Sequence, residues 1–287
     1  MRPDALNRVL VHVQARLDAD LSLGALARVA GFSRFHFERE FTRDTGETVK
    51  QYTQRLRLER AAIRLLLHRG SILDVALESG FQSHETFSRA FRRRFGVAPR
   101  QYRQRGSFEG DRVRRPRIRL IEAPFEISAT RVVELGPIHV AFLRHVGPYE
   151  NVGEGLWEEL AAWARRRRVP EPHVFLGIGH DAPGVTPPER LRFDAALRVP
   201  APFAPRGRIG YQVVGGGPHA VTTHVGAYTT LPDAYAQVFP RVVELRGYRA
   251  VGLPCIEVYQ TTVMRVRFAF NHTEICIPVE KRTRAAT

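Results

Sequence analysis

The chain has 287 residues, 44% apolar and 25% charged, with a formal net charge of +15, which is enough material for two compact domains. Two cysteines, Cys255 and Cys276, exclude a disulfide framework and a four-cysteine zinc site and read as small packing residues. No apolar run is long enough to span a bilayer, and the opening MRPDALNRVL lacks the apolar core of a secretory signal, so a cytoplasmic location is expected.

The charge is uneven: residues 1–117 hold 24 Lys+Arg against 13 Asp+Glu, and the remainder 20 against 16. A basic N-terminal half points to a polyanionic partner, nucleic acid or an anionic surface. In that half, Ser22 is placed to cap a short helix carrying Leu23, Leu26, Ala27 and Val29, which must stop at Gly31. Ser33 then opens a second helix, with Phe37 and Phe41 inward and Phe35, Glu38, Arg39 and Thr42 as an outward stripe. The same phrase returns fifty residues later. Ser71 caps, Gly80 turns, and Ser83 opens a helix with Phe87, Phe91 and Phe95 inward and Glu85, Ser88, Arg89 and Arg92 outward. Both copies close alike, TGETVKQY and FGVAPRQY, pairing Gly46 with Gly96 and Tyr52 with Tyr102. Each copy is a helix-turn-helix. Between them Val49 to Leu67 reads as one helix, roughly 28 Å long at 1.5 Å per residue. Successive major-groove faces lie about 34 Å apart, so such a rod suits two reading helices one DNA turn apart.

Residues 5–105 resemble the DNA-binding domain of the AraC/XylS transcription regulators, on the paired Gly-Phe turns and the closing FGVAPRQYR. The resemblance implies double-stranded DNA and RNA polymerase as partners, the chain acting as a monomer or weak dimer with no membrane role. It places Phe35, His36, Glu38 and Arg39, then His84, Glu85, Ser88, Arg89 and Arg92, at the DNA. Arginine can clamp guanine and glutamate can accept from cytosine. Relatives that activate multidrug resistance commonly have Trp at Phe35 and Gln at Glu38, so the resemblance carries over the binding mode but not the operator sequence. Arg55, Arg57, Arg92, Arg93 and Arg94 read as phosphate contacts or solvated surface.

Domain boundaries are expected at 1–106 for the DNA-binding domain and 118–287 for a second domain, with the arginine-rich stretch 107–117 as linker. A second repeat follows, HVGPYENVGEGLWEEL from His145 answered by HVGAYTTLPDAYAQVF from His224. Each copy runs from a β-rich segment through a helix into two strands, HVFLGIGHD and LRFDAALRV, then PCIEVYQTT and TEICIPV. The fold class is therefore multidomain: an all-α double helix-turn-helix domain, then an α+β domain of two pseudo-symmetric β-α-β-β units. One antiparallel sheet, helices on one side and a central cleft are expected. GIGHD reads as a loop between strands and VVGGGPH as a hairpin turn.

Residues 118–280 resemble the GyrI-like effector-binding domain, on RHVGPYENV, LRFDAALRVP, PCIEVY and TEICIPV. Fusion to an AraC-type reader is the arrangement of Rob-like regulators. The resemblance implies multidrug sensing: a small lipophilic or cationic effector held among aromatic rings opposite a buried glutamate. By period two, Glu257 shares a strand face with Cys255 and Tyr259, and it stands at the family's pocket position. Trp157, Tyr149, Phe193, Tyr228 and Tyr259 are the aromatic candidates, although Trp157 equally fits a core anchor and Tyr149 and Tyr228 strand-to-helix packing. Glu274 either lines the cleft or faces solvent. No Gly-x-Ser-x-Gly, phosphate loop or His-Glu-x-x-His occurs. No enzyme activity, metal or cofactor is expected; the alternative is a GyrI-like protein that sequesters or hydrolyses a small molecule and uses DNA secondarily. Arg165 to Arg168 read as solvated surface.

Overall fold

A computed structural model of the chain describes residues 1–67, 70–105, 124–252, 254–260 and 271–282. It divides into two compact units, Met1–Gly106 with Phe203–Gln212, and Ser107–Pro202 with Val213–Thr287. The linker expected at 107–117 lies outside the described residues.

The first unit carries α1 (Pro3–Ala15), α2 (Leu23–Ala30), α3 (Arg34–Thr45), α4 (Val49–Leu67), α5 (Ile72–Glu78), α6 (His84–Phe95) and α7 (Pro99–Arg105). Four serines begin four of these helices because a hydroxyl can accept from a backbone N–H that has no intrahelical partner. Ser22 accepts from Ala25, Ser33 from His36, Ser71 from Asp74 and Ser83 from Thr86. The glycine turns work by left-handed geometry: Gly31 and Gly80 have φ of 75° and 81°. That geometry lets the N–H groups of Phe32 and Phe81 reach the carbonyls of Ala27 and Ala76, each at 3.0 Å. Phe37, Phe41, Phe87 and Phe91 are wholly buried. Tyr52 meets Phe41 edge-on at 5.4 Å, and Tyr102 meets Phe91 at 5.3 Å, so the two copies repeat in packing as well as in spelling.

α4 has the bounds read from its spacing, but two of its arginines do not face outward. The Arg55 guanidinium donates to Glu47 at 2.8 Å and to Glu59 at 3.2 Å, and Arg94 reaches Glu59 at 3.3 Å. Arg57 donates to the carbonyls of Leu17 and Ala19 at 2.7 and 2.9 Å. The reading of Arg55 and Arg57 as phosphate contacts or solvated surface is therefore corrected. Their guanidiniums satisfy acids and carbonyls inside the domain, where an unpaired partner would cost more than a solvated arginine gains.

The second unit contains β1 (Glu126–Ile127), β2 (Arg131–Val146), α8 (Glu154–Arg166), β3 (Phe175–Gly179), β4 (Arg192–Arg198), β5 (Gly210–Gly226), α9 (Leu231–Val243), β6 (Tyr248–Ala250), β7 (Cys255–Tyr259) and β8 (Asn271–Lys281). The strand order is β1-β5-β2-β4-β3-β7-β8-β6, and β5 also pairs with β8, so the sheet closes on itself through β5. VVGGGPH makes no hairpin: it runs inside β5, where Gly215, Gly216 and Gly217 all have positive φ. A Cβ at Gly215 would lie 2.8 Å from the carbonyl oxygen of Gly136 on β2. Only glycine permits that approach, and the distortion lets one long strand serve two neighbours. GIGHD likewise begins inside β3 rather than in a loop.

Candidate functional site

On the first unit, the faces of α3 and α6 that point away from the phenylalanine core carry the residues expected at DNA. Phe35 is 92% exposed, an unusual state for so large an apolar ring. Arg39, His84, Glu85, Arg89 and Arg92 are also exposed, while Glu38 and Ser88 are half-buried. His36 turns partly inward, with its ring 4.7 Å from Phe32 and its Nδ1 3.2 Å from the Arg39 guanidinium. The Ser88 hydroxyl lies 3.5 Å from Nε2 of His84. The two helices thus present exposed arginines in matching places, Arg39 with Arg89 and Arg43 with Arg93.

On the second unit, strand pairing decides which side chains share a face. Register sets Gly177 opposite Glu257, Glu257 opposite Ile275, and Tyr259 opposite Thr273. Directly opposed residues point to the same side of an antiparallel sheet. On that side α8 brings Trp157 to within 6.3 Å of Phe193, 6.1 Å of Phe175 and 5.5 Å of Tyr259. Tyr228 meets Tyr259 at 5.3 Å, and Tyr149 meets Phe193 at 5.7 Å. The aromatic candidates are therefore contiguous.

Glu257 sits among them, buried, with Oε2 accepting from the Tyr259 hydroxyl at 2.6 Å and Oε1 from the Tyr235 hydroxyl at 3.1 Å. Burial raises the Glu257 carboxyl above its ordinary value, and the two phenols offset part of that rise. Both phenols are themselves held well above the ordinary tyrosine value, by burial first and then by the carboxylate. Gly177 completes the floor: a Cβ there would lie 2.6 Å from the Phe193 ring and 3.1 Å from Oε2 of Glu257. An acid buried among rings and phenols can attract a cation through charge and ring faces together.

Glu274 does not join this group. It stands opposite Val258, on the other face of the sheet, and its carboxylate pairs with Arg131 at 2.7 Å. Alternation along β8 forbids Glu274 and Ile275 from sharing a side. Tyr149 has a hydroxyl already engaged at 2.8 Å with the Asp181 carbonyl, which makes it an anchor for the loop after β3 as well as a ring on Phe193. Tyr235, Phe175 and Gly177 were not singled out in the sequence. The shared offset of the repeat aligns Tyr235 with Leu156, one position away from Trp157, so the repeat itself concealed it.

The face carrying Glu274 also holds a buried ionic group. Asp194 accepts twice from Arg144, each at 2.7 Å, and lies 2.6 Å from Nε2 of His180. Burial opposes ionisation of Asp194, yet Arg144 and His180 together hold it below the ordinary carboxylate range. These groups satisfy one another, and they stand apart from the Glu257 face.

A helical unit with two duplicated, outward-facing helices and a sheet unit with a carboxyl buried among aromatic rings define a helix-turn-helix unit joined to a small-molecule domain. Residues 128–280 match the GyrI-like small molecule binding domain, and the chain belongs to that family; residues 26–105 match a helix-turn-helix domain of AraC/XylS type. The chain is 32% identical over 177 residues to the transcriptional regulator Rob of Salmonella typhimurium strain LT2, covering 62% of this chain and 58% of that protein. It thus spans less than two thirds of that relative's length. It is 33% identical over 97 residues to the regulatory protein SoxS of Escherichia coli K12, covering 34% of this chain and 91% of SoxS. Among solved structures it is similar to the DNA-binding domain of AdpA in complex with a target DNA, with 30% identity and a TM-score of 0.35, covering 36% of this chain and 92% of that one.

Proposed function

We propose that the chain is a transcription regulator that reads a bipartite duplex site with α3 and α6 and binds a lipophilic or cationic effector at Glu257. The observation that carries the reading is the duplicated reading unit. Two helices, each capped by serine and seated on a buried phenylalanine pair, present exposed arginine in equivalent places within one chain. A dimer ordinarily supplies two such helices. Phe35, Glu38, Arg39, Glu85, Ser88 and Arg89 read base edges, and Arg92 and Arg93 neutralise phosphate. Rob and SoxS are regulators by name, which supports the same role here.

Effector binding follows from Glu257. A cation that enters replaces the missing solvation of the carboxylate and so favours its charged form. RNA polymerase contact completes an activator's role, and the chain acts in the cytoplasm, one copy to a site. Selection from random duplex DNA with the full chain at physiological salt tests the reading. The expected result is a two-part motif with half-sites about 10 base pairs apart. Recovery of no enriched sequence, with binding that only follows salt, would reduce the helical unit to a nonspecific anchor.

A further inference from the structure

The strand row that carries Tyr259 continues past it into a polar pair. Thr273 on β8 stands opposite Tyr259, and His224 on β5 stands opposite Thr273, so all three share the face of Glu257. His224 and Thr273 are wholly buried, and among the described residues the His224 Nδ1 and the Thr273 hydroxyl each lack a hydrogen-bond partner. A buried polar atom without a partner costs stability, so two that face each other across a strand pair call for a partner such as a water, an ion or a ligand group.

The protonation of the ring follows from its other side. The Thr230 hydroxyl gives its one proton to the Ala227 carbonyl at 2.7 Å, so its oxygen accepts from His224 Nε2 at 2.8 Å. The proton therefore sits on Nε2. Burial lowers the pKa of His224, which keeps the ring neutral and leaves Nδ1 as a bare acceptor. Next to it, the Thr273 hydroxyl can donate or accept. The pair suits a group that donates to nitrogen and meets a hydroxyl, an N–H or O–H of a ligand.

We infer that His224 and Thr273 form a second, polar contact point of the effector site, which selects cations carrying an N–H or O–H donor at a distance from the atoms that meet Glu257. The inference rests on the reading of Glu257 as the cation site. Two strand spacings and two residues along the strand separate His224 from Glu257, about 12 Å between their Cα positions, a span that one drug-sized molecule covers. Glu257 would select charge, and the distant pair would select the donor.

Two triarylmethane cations test this with the full chain: pararosaniline, whose amines carry N–H, and crystal violet, whose amines are fully methylated. Thr273→Val keeps the side-chain shape and removes the hydroxyl. It is expected to weaken pararosaniline about tenfold while crystal violet changes by less than about twofold. The melting temperature of the ligand-free variant should hold or rise, because a buried unsatisfied hydroxyl has been removed. Equal weakening of both dyes, or of neither, would overturn the inference and leave the pair holding only an internal water. A fall in melting temperature with loss of both dyes would make the hydroxyl a packing element and overturn it too. Failure of the unaltered chain to bind either dye would remove the cation site itself, and the second contact point with it.

Discussion

Glu257 is a carboxyl that folding alone keeps from ionising easily, because burial disfavours its charge more than Tyr235 and Tyr259 favour it. A cation binds its charged form, so affinity should rise with pH as Glu257 ionises above the ordinary carboxylate range, whereas a neutral ligand of the same size should show no such slope. Calorimetric titration across that range checks this. Glu257→Gln should flatten the pH dependence and weaken the cation preferentially; an unchanged slope would assign the charge sensing elsewhere. The same shift acts on stability with the opposite sense. Folded Glu257 holds its proton to higher pH than the unfolded chain does, so its contribution is complete below the unfolded value and fades as pH rises through the folded one. At this scale the sequence was informative where period two applied. Strand alternation placed Glu257 beside Tyr259, yet it could not tell which face of β8 looked into the cleft, so Glu274 remained a candidate until register put it opposite Val258. Tyr235 was hidden for a different reason: a helix turns its side chains by position, and the repeat's offset is one residue out of phase there.

The helix-turn-helix elements are written almost entirely in local chemistry. A serine cap, a glycine in the left-handed region and a phenylalanine pair four residues apart recur in both copies, and each acts within one or two turns of chain. The two glycines nevertheless stand in different surroundings. A Cβ at Gly31 would meet nothing within 4 Å, whereas one at Gly80 would lie 2.8 Å from both the Leu17 carbonyl oxygen and Nε of Arg57. Gly31→Ala is therefore expected to cost about 1 kcal/mol, the left-handed penalty alone. Gly80→Ala should cost about 3 kcal/mol, since overpacking against backbone adds to it. Urea-unfolding midpoints separate the two, and equal midpoints would show that the Leu17 segment simply moves aside. Elements in the sheet unit were less legible. Three glycines read as a turn because glycine permits positive φ in turns and bulges alike, and only the approach of β2 decides that β5 continues.

Taken whole, a regulator needs its two units to exchange free energy. Coupling between sites is reciprocal: an effector that changes operator affinity by some factor has its own affinity changed by the operator to the same extent. Titrating crystal violet with and without a selected duplex, and the duplex with and without the dye, should return one factor. No change in either direction would make the two units independent and the chain no sensor. The amino-acid sequence by itself determined the double helix-turn-helix, the 19-residue α4, the antiparallel order of strands and helices in the second repeat, and the strand face that Glu257 shares with Tyr259. Those features depend on caps, glycine turns and periodicities of two and 3.6, which act over a few neighbouring residues. Tertiary structure alone decided the inward turn of Arg55 and Arg57, the closure of the sheet through β5, the phenol of Tyr235 on Glu257 and the buried pair His224 and Thr273. Each of these is a meeting between distant segments, and the register and desolvation that create it exist only once the chain has packed.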